Sequence, residues 1–239
     1  MTKLKGAQMK KLILMLGATA MVAGANAVVF SDAVGDVNMP AGYFSNQDIK
    51  SVTVTNDATN VYFTIELNGS IAGGSNWGKY AIMIDSAAGG YTGNNPTVWN
   101  RSISMPSGMD HWIGAWVDGS GGNQLYSYTG VANNWNAAAV QGTTLTGTSF
   151  TVTTPLASIG ISVGQTFCFD VMSSGGNGND SAWDLLSKNV VNDSDNDGVT
   201  GWSELTQSTN CVAYTAVPEP ATMTALALGA VATLRRRKK

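Results

Sequence analysis

Val61-Tyr62-Phe63-Thr64-Ile65-Glu66-Leu67 places an apolar residue at every odd position, with mostly polar residues between. Successive side chains of an extended chain point to opposite faces, so a period of two describes a strand with one packed face and one wet face. Just upstream, Asn56-Asp57 and Asn60 supply turn residues, and residues 51–55 alternate in the same way, which predicts a hairpin. Further out, the pattern recurs at residues 80–85, 111–117, 124–128, 150–154 and 167–172, between Gly-rich stretches such as Gly89-Gly90, Gly121-Gly122 and Gly175-Gly176. No amphipathic helical run competes with these strands. The expected fold is all-β: a single antiparallel β-sandwich, a two-sheet arrangement of jelly-roll or Ig-like type.

The two ends carry a different message. Lys3, Lys5, Lys10 and Lys11 precede the apolar run 12–22, and Ala25-Asn26-Ala27 offers small residues for a signal peptidase, which predicts a signal helix within residues 1–27 and a mature start at Val28. At the other end Val217-Pro218-Glu219-Pro220 leads into an apolar segment, 221–234, and then into Arg235-Arg236-Arg237-Lys238-Lys239. Positive charge after an apolar segment keeps that end cytoplasmic. Fourteen residues are marginal for a spanning helix, so a hydrophobic anchor helix here suits temporary retention in the membrane. In its Pro-Glu-Pro signature, apolar segment and basic end, taken in that order, the tail over 217–239 resembles the PEP-CTERM sorting signal. That resemblance implies an exosortase-type processing enzyme as partner, cleavage near Pro218–Pro220, and delivery to the cell surface or extracellular matrix of a Gram-negative bacterium, commonly within biofilm polysaccharide.

With both ends set aside, residues 28–216 are expected to form one domain. From Val28 to Val217 only Lys50, Lys79, Arg101 and Lys188 are basic against fifteen acidic residues, a net charge of −11. So acidic a surface repels nucleic acid and anionic lipid, leaving the tail as the only membrane contact. It favours cations and neutral partners such as polysaccharide. Cys168 and Cys211, in an oxidising compartment, read as one disulfide, with two free thiols as the alternative.

Asp193-Ser194-Asp195-Asn196-Asp197-Gly198-Val199-Thr200-Gly201-Trp202-Ser203-Glu204 fits the calcium-loop pattern D-x-D-x-D-G-x₅-E. Asp193, Asp195 and Asp197 would give side-chain oxygens, Val199 a backbone carbonyl and Glu204 two oxygens to a structural Ca²⁺, with Gly198 allowing the bend. The flanking sequence is not helix–loop–helix, so an isolated loop at 193–204 is expected.

In the strand His111-Trp112-Ile113-Gly114-Ala115-Trp116-Val117, alternation separates Trp112 and Trp116 from Ile113 and Val117, with Asp110 and Asp118 at the ends. Were the aliphatic face the core, the two indoles would form an exposed platform beside carboxylates, suited to the apolar faces and hydroxyl rims of sugars. A strand buried on both faces is the alternative. Trp77, Trp99 and Trp135 are secondary candidates.

Over residues 31–172 the order of features is similar to family-nine-like carbohydrate-binding modules and their DOMON-type relatives. The pieces are Asp32 and Asp36, Asp48-Ile49, Asn56-Asp57 then Val61-Tyr62-Phe63, Tyr80-Ala81-Ile82 with Asp85, and Gly108-Met109-Asp110-His111-Trp112. Further on come Leu125-Tyr126-Ser127-Tyr128, Trp135, and Phe150 through Pro155-Leu156 to Ile159-Gly160. The resemblance implies a β-sandwich and a sugar ligand.

The single histidine leaves no Ser-His-Asp or Cys-His set without His111, and no catalytic fingerprint occurs, so a non-enzyme is expected. The readings are then an exported carbohydrate-binding module or a structural surface protein without a small ligand. An ice-binding adhesin using Thr151 and Thr153, or a glycoside hydrolase using a carboxylate pair, ranks below both.

Overall fold

The computed structural model describes residues 27–37, 45–71, 78–93, 99, 101, 103–140, 142–176, 180, 182–188, 206–207 and 210–218. The expected signal helix, the anchor helix and the calcium-type loop at 193–204 lie outside these residues. Asn26–Val217 form one compact unit.

Within that unit the strands are β1 (Val28–Ser31), β2 (Ile49–Asn56), β3 (Asn60–Leu67), β4 (Lys79–Asp85), β5 (Ile103–Ser104), β6 (His111–Trp116) and β7 (Gly122–Tyr128). They continue as β8 (Trp135–Val140), β9 (Gly142–Thr146), β10 (Ser149–Pro155), β11 (Thr166–Ser174), β12 (Asp184–Leu185), β13 (Thr206–Gln207) and β14 (Val212–Thr215). A five-stranded sheet runs in the order β1-β2-β3-β10-β9, and a larger sheet in the order β12-β11-β4-β6-β7-β8, with β14 also paired to β11. Apart from a two-residue parallel contact between β5 and β13, the pairings are antiparallel.

The hairpin β2–β3 forms where the turn residues place it. Asp57 N–H donates to the Asn60 carbonyl at 3.0 Å, and the Asp57 carboxylate accepts from the Thr59 and Asn60 N–H groups at 2.7 Å each. Val52, Val54, Val61, Phe63, Ile65, Leu67, Phe150 and Val152 point inward from the smaller sheet. They meet Tyr80, Ile82, Ile84, Ile113, Ala115, Leu125, Phe167, Phe169 and Val171 from the larger one, forming the core between the sheets. Edge-to-face ring contacts knit the layers, Phe30 to Phe169 at 5.2 Å and Phe63 to Phe169 at 5.3 Å.

The two sheets differ on their outer faces. The smaller sheet turns hydroxyls outward, as a one-sided antiparallel sheet should. The larger sheet carries Ala81, Met83, Trp112, Tyr126 and Met172 on its outer face, and these would expose a broad apolar patch. Two connections cover them. Tyr91, Ile103, Met105 and Met109 come from the segment between β4 and β6, and Ala182 and Leu185 from the chain after β11, making a second core. The described structure is thus a two-sheet sandwich with an extra layer of loops over one face.

Cys168 on β11 and Cys211 just before β14 are paired as a disulfide, their Cα atoms 5.5 Å apart, within the usual span of such bridges. The bridge ties the last strand to the sheet. Closing a span of 43 residues contributes about 4 kcal/mol in the chain-entropy picture.

Candidate functional site

The aromatic strand is buried on both faces. Ile113 and Ala115 enter the inter-sheet core while Trp112, fully buried, enters the second core. Alternation assigns the sides correctly, but the outer side is not solvent, and the accessible Trp112–Trp116 platform therefore does not form. The cause is visible at two glycines. A Cβ on Gly114 would lie 2.6 Å from the Trp99 ring, and one on Gly122 would lie 2.2 Å from the Trp116 ring. The bare backbone is a socket into which the indoles lie flat. Trp99, folding back from the β4–β6 connection, sits over Gly114 with its ring 5.1 Å from Trp112 and 6.2 Å from Trp116. Trp112 in turn stacks at 5.5 Å from Tyr126.

The carboxylates beside this strand serve structure as well. Asp110 accepts hydrogen bonds from the Ser86 and Ala87 N–H groups at 2.7 Å each, fixing the start of the covering segment. Asp118 pairs with Lys79 at 2.6 Å. His111 Nδ1 lies 2.9 Å from Ser127 Oγ, and burial pushes its imidazole below the usual range against the opposing pull of Asp110. Arg101 is buried, its guanidinium 5.7 Å from the Trp99 ring centre and hydrogen-bonded to Ser174 Oγ at 3.2 Å. Desolvation lowers it to about 10, with Asp180 opposing.

Partly accessible aromatics gather instead at the β8 edge of the larger sheet. Tyr91, Tyr128 and Trp135 stand with ring centres 5.4 to 5.8 Å apart, Tyr128 and Trp135 half-buried. Sequence alone names Trp135 and Tyr128 but cannot bring Tyr91 to them, since it arrives from the β4–β6 connection.

The smaller sheet also holds an ordered surface. Thr53, Thr64, Thr151 and Thr144 oppose one another in register across β2, β3, β10 and β9, with the Thr64 and Thr151 hydroxyls 2.9 Å apart. This rank arises from strand pairing between distant segments, so no repeat in the sequence announces it.

A third arrangement lies at the end of the sandwich where β1 and β12 come close. Asp32, Asp36 and Asp184 each bring a carboxylate oxygen within 4.8 Å of the others. Asp48, fully buried, lies against the same loop, its Oδ2 accepting from the Gly35 N–H at 2.8 Å and from Asn68 Nδ2 at 2.9 Å. Desolvation first, and neighbouring carboxylates second, push Asp32 up to about 8 and Asp184 up to about 7.

The chain terminus of the described unit is anchored by one side chain. Asn56 Oδ1 accepts from the Val217 N–H and Asn56 Nδ2 donates to the Val217 carbonyl, each at 2.9 Å, while the Tyr214 hydroxyl donates to Asn56 Oδ1 at 2.8 Å. Strand β14 ends at Thr215, two residues earlier. Residues 216–238 match the family model for the PEP-CTERM protein-sorting motif. That motif marks an exported, cell-envelope-sorted protein processed by an exosortase. No curated protein matches the chain.

Proposed function

We propose that residues 28–217 are a non-catalytic surface module, delivered outside the cell and freed from the tail by cleavage near Pro218–Pro220, where it serves as a structural component of the extracellular matrix. The observation that carries this reading is the coincidence of two boundaries. The compact unit closes on the Asn56–Val217 clasp, and the sorting motif starts within a residue of it. Cleavage near Pro218–Pro220 leaves Val217, and with it the Asn56 and Tyr214 hydrogen bonds of the clasp, inside the released domain. A closed double core, a disulfide and an acidic surface suit a protein that must persist outside the cell. The loop at 193–204 would add a weakly held calcium ion through Asp193, Asp195, Asp197, Val199 and Glu204. The test is fractionation of a strain lacking its exosortase. The protein should then accumulate in the membrane, whereas undiminished release would remove the reading.

The ring cluster at the β8 edge favours a second, finer reading, in which the module contacts polysaccharide there. Tyr128 and Trp135 offer flat apolar faces at an open sheet edge, with Asn134 and Asn136 exposed beside them. A glycan array with the exported protein tests it. Binding lost in Trp135→Ala supports the reading, and no binding to any glycan leaves the structural role alone.

A further inference from the structure

We infer that Asp32, Asp36, Asp48 and Asp184, none of them part of the 193–204 sequence motif, form a calcium site that joins the first strand of the mature chain to the short strand β12 of the opposite sheet. The geometry gives the first line of support. A calcium ion with Ca–O bonds of about 2.4 Å holds opposite ligands about 4.8 Å apart. Three of these carboxylates bring one oxygen each within 4.8 Å of one another.

Orphaned oxygens give the second, independent line. Asp32 Oδ2, both oxygens of Asp36 and Asp48 Oδ1 are sealed from solvent with no hydrogen-bond partner. Asp48 is fully buried, and its other oxygen accepts from Asn68 and from Gly35, inside the loop that carries Asp32 and Asp36, so the side chain is turned toward that loop. Native proteins rarely bury carboxylate oxygens without a partner, because desolvation of a charge is costly unless something neutralises it. Among the described residues no Lys or Arg pairs with any of the four, the ion pairs being Lys79 with Asp118 and Arg101 with Asp180.

The surroundings are built to hold these side chains in place. Asp184 accepts from the Ile49 N–H at 2.6 Å through Oδ2 and from the Leu185 N–H at 2.9 Å through Oδ1, while Asp32 Oδ1 accepts from the Ala33 N–H at 2.9 Å. Gly35 takes φ +86°, a left-handed turn between Asp32 and Asp36 that brings both to one side. An all-oxygen set with this many carboxylates suits calcium, whereas magnesium usually takes one or two and keeps its waters.

The experiment uses whole exported protein stripped with EDTA and titrated with CaCl₂ at pH 7.5, in an Asp195→Ala background that disables the 193–204 loop. Calorimetry should show one calcium bound, with a melting rise of about 5–10 °C at a hundredfold excess over Kd. Adding Asp36→Asn should weaken binding about tenfold or more and cut the rise at the same calcium concentration to about half or less. Neither Asp36 oxygen has a hydrogen-bond partner beyond its own residue, and Asn removes charge without changing shape, so the variant should melt no lower than its parent in EDTA. Asp32→Asn is the companion variant, with the same expected loss. Absence of calcium heat and of any melting change in the Asp195→Ala protein would overturn the site. So would a calcium effect undiminished in both Asn variants.

Discussion

Asn56, at the end of β2, holds Val217 by both backbone groups, 161 residues further along the chain. With the Tyr214 hydroxyl on the same carbonyl oxygen, one nearly buried amide closes the last strand onto the first hairpin. Asn56→Ala leaves the Tyr214 hydroxyl and both Val217 groups without this partner. It should therefore destabilise the exported protein by about 2–4 kcal/mol, read as a lower midpoint in urea. A truncated chain ending at Val217 should match the natural product, while one ending at Thr215 should lose most of the same increment.

Gly114→Ala tests the socket under Trp99. The new methyl would meet the indole at 2.6 Å, so the ring must lift from between Trp112 and Trp116. The expected cost is about 1–3 kcal/mol, with a red shift in tryptophan fluorescence as indole surface meets water. Trp112→Ala should cost more, about 3–5 kcal/mol, because it empties a fully buried site. A Trp112→Ala protein as stable as its parent would restore the exposed-platform picture.

His111 sets a pH dependence with a definite sign. Burial holds its folded pKa below the usual 6.5, so the unfolded chain takes up the proton more readily. Stability from this group is complete above about pH 6.5 and is lost as pH falls toward the folded pKa, below which the loss levels off. Denaturation of the parent and His111→Gln across pH 5–8 should show the parent alone carrying this increment.

The Cys168–Cys211 bridge holds β14, and through it the Asn56 clasp. Replacing both with Ser should lower stability by about 2–4 kcal/mol. Exchange protection should fall first in the amides of residues 212–217, ahead of the inter-sheet core.

Much of this fold is legible in the primary structure, and the parts that are not share a physical reason. The strand at 61–67 announces itself because one face meets the core and the other does not, so the period of two survives, whereas 80–85 and 111–116 stand out as apolar runs whose two faces meet different cores. Strand β8 escapes notice since Trp135-Asn136-Ala137-Ala138-Ala139-Val140 has no polar alternation, and β1 hides beside the leader. Alternation separates Trp112 from Ile113, yet whether the second face meets water depends on where residues 86–109 fold, and no local pattern records that. The calcium-type loop at 193–204 stands out because its carboxylates are contiguous. Asp32, Asp36, Asp48 and Asp184 assemble only when β1 and β12 meet, so their chemistry belongs to the tertiary fold.

Intact-mass measurement of the protein recovered from the exported fraction shows whether the sorting tail is removed after the clasp. A mass running from Val28 to a C-terminus at Pro218–Pro220 is the predicted result, with the Asn56–Val217 clasp retained. A mass that still includes Arg235–Lys239 would contradict it.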